Sequence, residues 1–542
     1  MAALPTGIPF GPDDAAWSTG LDRLRTAGAT RVSAPSADPR ETYPQLPELP
    51  PGRFQLPARG LDATEYAQAE DLFRRYVEDH SSRSLGYQLH WSEDFARRLA
   101  PYLGLQLNNI GDPYQHGAFM PNSKVLERAV LDYFASLWNA KWPHRAGDPE
   151  SYWGYVLTMG ASEGNIQALW NARECLSGKP LAGQPRLPAD TAHENPNARH
   201  PVVFFSRETH YSLTKAVNLL GLDTFHALGS SRYPDANPLG PGTEWPTEVP
   251  CVGGVDGPGA IDVEKLSLLV RFFVRRGHPV FVNLNYGSTF KGAFDDVPEA
   301  ARAVHEICAE YGMAERTFPS DREGTGARPR PGYWIHVDAA LGAAYVPYLR
   351  MARAAGLVES APPPFDFRLP QVHSLTVSAH KWMGAPWPCG VFMTRNGLRM
   401  PPPRSSEYIG GTDTTLSGSR NGFSALLMWD YLAHHSYDDL ARQAAECDRL
   451  ARLAHERLLK LQSGLGVDLL VSRSPWSLAV RFRRPDEAIL RRYSLAYETL
   501  LVDGVERPYA HLYVVPHVTE GLIDALLRDL GQPGAFAGGA AA

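Results

Sequence analysis

A lysine closing an apolar run is costly to bury as an ammonium, and Lys381, in SLTVSAHK, closes such a run. Desolvation lowers a lysine pKa and leaves the free amine that imine formation needs. Asp338, in HVDAALGAAY, closes another apolar run. The ends of neighbouring parallel strands meet at one crevice, where open α/β sheets bind ligands. An Asp there can pair with a protonated pyridine nitrogen and make the ring an electron sink. Ala340, two residues on, points to the same side and is small enough for a flat ring to pass. Residues 158–165, TMGASEGN, lead into the helix-like IQALWNAR, and a helix start with small residues suits a phosphate. His210, after PVVFFS, can stack its ring on a planar group. Each residue alone has an ordinary explanation: a lysine entering a loop, an Asp capping a turn, a plain helix start, a hydrogen-bonded histidine. Their company is what points to chemistry.

The elements that must position them are legible as short apolar runs alternating with helical stretches. The runs are PVVFF at 201–205, PVFVNL at 279–284, YWIHVDAA at 333–340, SLTVSAH at 374–380 and GVFMTR at 390–395. This pattern predicts an α/β fold, a mostly parallel sheet buried between helices. Helical periodicity marks 63–79, 123–139 and 438–461. Ser123 is expected to cap the second of these, with Glu127 near its first turn, where the helix dipole favours an acid. Stretches near 178–198, 229–260 and 316–332 read as surface insertions, and the Pro-rich first 60 residues as an irregular arm. Two closing runs, WSLAVRF at 476–482 and HLYVVPHV at 511–518, predict a small C-terminal α/β domain. The expected layout is an N-terminal segment at 1–122, a large domain at 123–395, and a loop with a small domain at 396–542.

Bulk properties narrow the function class. A net charge of −6 over 542 residues offers no basic field for nucleic acid or an anionic membrane. No uncharged apolar run would span a bilayer, and the opening MAALPTGIPF lacks a secretory pattern. Five scattered cysteines without a CxxC pair give neither a metal framework nor a disulfide scaffold, and fit a reducing cytoplasm. No metal is expected. No GxGxxG opens a strand–helix unit, which sets a dinucleotide binder aside.

The chain resembles the pyridoxal phosphate-dependent group II amino-acid decarboxylases, in particular the bacterial histidine decarboxylase branch. That branch is similar to actinobacterial valine and methionine decarboxylases and to plant serine decarboxylases. The resemblance rests on motifs in order between Gly86 and Val518: LNNIGDPYQHGAFMPNS, GYVLTMGASEGNIQALWNAR, ETHYSLTKA, NYGSTFKGAFDDV, IHVDAALGAAYVP, SAHKWMGAPWPCGVFMTR, YIGGTDTTLSGSRNG and VVPHVT.

It implies a fold type I enzyme using pyridoxal 5'-phosphate, with Lys381 holding the cofactor as a Schiff base. His380 and Ser378 would sit beside the phosphate, with Ala161 and Ser162 holding it. Asp338 would pair with the ring nitrogen, Ala340 and His210 would cover the two ring faces, and Thr289 would lie near the ring hydroxyl or the substrate carboxylate. Tyr408 matches a loop tyrosine proposed to protonate the substrate carbon after carbon dioxide leaves; a packing tyrosine is the other reading. The segment 417–420 resembles one that reaches the active site near a subunit boundary, which implies a homodimer with shared sites.

Tyr87 and Gln88 match a region that lines the substrate pocket in relatives. Histidine decarboxylases tend to have proline after the Gly-Tyr pair, where this chain has Gln88. The expected substrate is therefore a free amino acid with a neutral aliphatic side chain, such as methionine, valine or leucine. Histidine decarboxylation, or another lyase or aminotransferase reaction on the same fold, is the alternative.

Overall fold

The structure is a computed structural model that describes residues 46, 48–181, 195–318, 329–401 and 407–536. The chain divides into two units, Met1–Ser82 and Arg83–Ala542. In the first, Asp62 caps the predicted helix, accepting the Thr64 and Glu65 amides at 2.9 and 2.8 Å, and the helix runs over Ala63–Arg83. Most of the Pro-rich arm lies outside the described residues.

The second unit is built on seven strands: β1 (Tyr152–Leu157), β2 (Val202–Phe204), β3 (Asp223–Thr224), β4 (Val280–Asn285), β5 (Tyr333–Asp338), β6 (Val372–Ser378) and β7 (Gly390–Arg395). Their order is β1-β7-β6-β5-β4-β2-β3. β7 runs antiparallel to both its neighbours, and all other pairs are parallel, so the expected mostly parallel sheet is present. Every residue of β1, β4, β5 and β6 is buried, which is why these strands read as apolar runs.

Alternate residues serve opposite layers. Trp153, Tyr155 and Leu157 pack with the helices Ala161–Leu176 and Tyr211–Leu220. Tyr152 and Val156 join the core on the other face, with the helices Val263–Val274, Val297–Glu310 and Gly342–Ala354. Helix Ala161–Leu176 presses unusually close to β6. A Cβ on Gly164 would stand 2.0 Å from the Thr376 hydroxyl oxygen, so only glycine fits.

A second, antiparallel sheet has the order β8 (Ala479–Arg483), β10 (Val505–Tyr513), β9 (Ala496–Val502). The helix Tyr437–Leu465 packs on β8; a capping box of Ser436 and Asp439 starts it, and it extends past the expected 438–461. β9 escapes a reading by apolar pattern because six of its seven residues are half-buried or exposed, Leu500 being the exception.

Two local expectations need correction. The Ser123 hydroxyl does not cap the helix Lys124–Leu137; it donates to the Gly422 carbonyl at 2.7 Å and to Asn109 Oδ1 at 3.1 Å. Glu127 does lie in the first turn of that helix, as expected, but tertiary contacts claim it. It is fully buried, accepts the Val156 amide at 3.0 Å and Asn109 Nδ2 at 2.9 Å, and is ion-paired with Arg420. The stretch 229–260 is no mere surface insertion, since Trp245, Val249 and Cys251 are buried; parts of the other two stretches lie outside the described residues. All five cysteines are buried thiols. Among the described residues, no helix is long and apolar enough to cross a membrane.

Candidate active site

Strands β4, β5 and β6 end side by side, with Asn285 opposite Asp338 and Asp338 opposite Thr376. At these ends lies a cavity of about 190 Å³, room for a small ligand. Ser378, His380 and Lys381 reach it from the turn that follows β6, and Asp338 and Ala340 from the end of β5. Ala161 and Ser162 contribute the start of helix Ala161–Leu176, His210 the turn after β2, and Thr289 the turn after β4. Nine residues singled out from sequence, scattered between 161 and 381, thus share one wall.

Burial pulls the Lys381 amine down to about 8, with the Asp338 carboxylate opposing that shift. Burial, reinforced by Lys381, takes His380 down to about 4. His210 is lowered too, by burial, against the pull of Asp338. Its Nδ1 faces Ser212, whose amide donates to it at 3.3 Å and whose hydroxyl lies 2.8 Å away. The Asp338 carboxylate accepts Asn165 Nδ2 at 2.8 Å and the Ala340 amide at 3.2 Å.

The helix start is held rigidly. Gly160 has φ of 67°, and a Cβ there would stand 2.5 Å from the His380 ring. The Ala161 amide donates to Ser378 Oγ at 2.9 Å. Glu163 is fully buried and accepts the Thr158 and Met159 amides at 2.7 and 3.0 Å, which ties down the preceding turn.

The remaining expected residues lie elsewhere. Tyr408 is 83% exposed, on a helical turn at Glu407–Ile409, and does not line the cavity. The Ile409 carbonyl accepts the Ala118 amide at 2.9 Å. Arg420 is committed to Glu127, away from the cavity wall. Tyr87 is exposed and Gln88 buried. The Gln88 amide lies near the Tyr513 hydroxyl, which donates to the Ser288 carbonyl at 3.2 Å, and Ser288 lines the cavity. The surrounding segment is pinned at Gly86, whose carbonyl meets His511 Nε2 at 2.9 Å, and at His90, whose Nε2 meets the Trp382 carbonyl at 2.5 Å.

Sequence reasoning missed three contributors: Asn165, Glu163 and the pair Glu208–Lys291. Glu208 lines the cavity and is ion-paired at 2.8 Å with Lys291, which is almost fully buried. The signal for the first was present. In WIHVD and SLTVS every second residue is polar or indole-bearing inside buried strands, so one face of β5 and β6 needs hydrogen-bonding partners from the helix above.

These groups suit a phosphorylated aromatic aldehyde: an amine able to attack, a carboxylate for a ring nitrogen, an imidazole, and a helix start cleared of side chains for an anion. Comparison with known proteins agrees. Residues 254–466 match the family described as the pyridoxal-dependent decarboxylase conserved domain. The chain is 28% identical over 475 residues to a histidine decarboxylase of Solanum lycopersicum, covering 86% of this chain and 90% of that one. It is 28% identical over 481 residues to serine decarboxylase 2 of Oryza sativa subsp. japonica, covering 88% and 81%. Among solved structures, L-methionine decarboxylase from Streptomyces sp. 590, bound to L-methionine methyl ester, is 44% identical over 90% of this chain and 98% of that one, with a TM-score of 0.84. The chain therefore belongs to the group II pyridoxal phosphate-dependent amino-acid decarboxylases, carboxy-lyases of fold type I.

Proposed function

We propose that this decarboxylase acts on a free L-amino acid with a neutral aliphatic side chain, methionine foremost, with valine and leucine as close competitors. One observation carries the reading: both carboxylates lining the cavity are already committed, Glu208 to Lys291 at 2.8 Å and Asp338 to Asn165 and Ala340. A cationic or imidazolium side chain finds no uncommitted acid there. Gln88, buried beside Tyr513, offers a neutral polar group, and Tyr87 precedes it. The likeness to the methionine decarboxylase supports the same choice.

The bound cofactor supplies an electron sink for the bond to the departing carboxylate. In this reading Lys381 attaches the cofactor through its amine and yields to the substrate amine. Asp338 accepts a hydrogen bond from the ring nitrogen and keeps it protonated, Ala340 and His210 flank the ring, and Thr289 bounds its hydroxyl edge. Ala161, Ser162, Ser378 and His380 hold the phosphate at the helix start. Tyr408 delivers a proton to the substrate α-carbon once carbon dioxide has left.

Tyr408 and Met120, at 83% and 79% exposure, and the neighbouring Phe119 sit around the Ala118–Ile409 contact. We read this apolar face as the place where a second copy docks and shares the site, in a homodimer of the cytoplasm. A panel of free amino acids, scored by mass spectrometry for amine and carbon dioxide, tests the substrate. Methionine, valine or leucine should give the largest kcat/KM, and preference for histidine would overturn the aliphatic reading.

A further inference from the structure

Beneath Asp338 runs a line of buried hydrogen bonds that no part of the reaction described above uses. Trp334 Nε1 lies 2.9 Å from Ser374 Oγ, and Ser374 Oγ lies 2.8 Å from His336 Nδ1. His336 Nε2 lies 3.0 Å from Asn165 Oδ1, and Asn165 Nδ2 lies 2.8 Å from Asp338 Oδ2. The same amide nitrogen lies 3.3 Å from Ser212 Oγ, which meets His210 Nδ1 at 2.8 Å. Trp334, Ser374, His336 and Asn165 are all at 0% exposure, so water does not compete for any of these bonds.

The direction of the chain follows from its two ends. An indole N–H can only donate, so Ser374 accepts it and has its own hydrogen left for His336 Nδ1. The neutral imidazole then carries its proton on Nε2 and donates to Asn165 Oδ1. That turns the Asn165 amide so that its two hydrogens face Asp338 and Ser212. The reverse direction would set the amide oxygen against the Asp338 carboxylate, which repels it. Burial keeps His336 neutral, pulling it down to about 4. Ser212, accepting from Asn165, donates to His210 Nδ1 and leaves the His210 proton on Nε2.

We propose that Asn165, locked in orientation by His336, is a positioning residue that holds Asp338 turned toward the cofactor ring nitrogen and sets the tautomer of His210. Two groups assigned to opposite parts of the ring thereby hang on one side-chain amide. This rests on the reading that Asp338 meets the ring nitrogen, and goes beyond it by naming what holds Asp338 in place. Replacing the amide with a carboxylate of nearly the same shape would put an acceptor against Asp338 and remove the donor to Ser212.

The experiment uses the full chain stripped of cofactor and titrated with pyridoxal phosphate. In protein labelled with 15N-histidine, the His336 ring, assigned with His336→Phe, is expected to show a bare Nδ1 and a protonated Nε2; a proton on Nδ1 overturns the proposal. By absorbance titration, Asn165→Asp is expected to bind the cofactor at least about tenfold more weakly, as loss of a hydrogen bond to a charged group implies, with circular dichroism unchanged. Unaltered affinity in that folded variant overturns the proposal as well. If Asn165→Asp does not fold, the ring-nitrogen measurement on the unaltered chain decides alone. Asp338→Asn separates the two levels. Parent-like cofactor affinity in that variant removes the reading of Asp338 itself, whereas weakened Asp338→Asn beside unchanged Asn165→Asp removes only the role of Asn165.

Discussion

The floor of the site and the outlying segment around Tyr408, its rim in the role proposed above, solve different problems. On the floor, Lys381, Asp338 and His210 project from strand ends and the turns that follow them, and their partners Asn165, Ser212 and Ser378 are buried. At the rim, Tyr408 points into solvent on a three-residue turn, yet the chain just beyond it is firmly anchored. Asp112 is almost fully buried, pairs with Arg399 at 3.0 Å, and accepts the Thr414 amide and hydroxyl at 2.9 and 2.8 Å. Gln115 holds Thr412, and Arg420 holds Glu127. The floor is preorganised within one chain, and the rim leaves exposed the tyrosine proposed above as proton donor. In the proposed reading, the chemistry that needs fixed geometry sits where hydrogen bonds saturate, and proton delivery by Tyr408 sits where they do not.

That contrast can be broken most severely at the floor. Lys381→Ala should lower amine formation on the order of 10⁴-fold or more and abolish covalent cofactor retention, read by product mass spectrometry and visible absorbance. Normal turnover would remove the lysine from the reaction. The next effect lies at the joint between the two regions. Arg420→Met leaves the Glu127 carboxylate buried without its cation, and should cost about 3–5 kcal/mol of stability, measured by denaturant or thermal unfolding. A change within error would mean that the pair does not tie rim to floor.

At the rim itself, Tyr408→Phe should keep cofactor affinity and lower amine yield on the order of 10²-fold, with carbonyl product appearing in its place. Mixing Tyr408→Phe chains with Lys381→Ala chains should restore part of the activity if a second copy supplies the tyrosine. No recovery would place both residues at one chain's own site.

The mildest test concerns the proton on Lys381. A lysine held near 8 is charged below that pH and cannot attack an aldehyde. Covalent cofactor attachment to the stripped protein should therefore quicken about tenfold per pH unit on the acid side and level off above about 8. A rise that continues to pH 10 would show an amine unaffected by its surroundings.

The floor was far more legible in the sequence than the rim. Lys381, Asp338 and His210 end or follow short, largely apolar runs of strands buried on both faces, and those runs locate them. Ala161 and Ser162 are announced by small residues before a helix. Asn165 carries no signal of its own in TMGASEGN, where a polar residue suits any helix start, until the alternating polar residues of β5 and β6 are set beneath it. At the rim, the partners of Ser123 and Glu127 lie about three hundred positions away, at Gly422 and Arg420, and no local pattern foretells such contacts. The capping rule failed at Ser123 because tertiary hydrogen bonds claimed its hydroxyl, while Glu127 keeps its first-turn place but serves a distant arginine.

The buried cysteines provide built-in timers of structural opening. Burial pushes the Cys175 and Cys251 thiols up to about 11, and Cys308 and Cys389 up to about 12. Alkylating reagents consume thiolate, so labelling must wait until a segment parts and lets water in. Cys175 lies in the helix whose start lines the cavity, Cys389 just before β7, and Cys447 in the long helix against the second sheet. The order in which they react would rank the breathing of these parts, and cofactor should slow Cys175 and Cys389 more than Cys447.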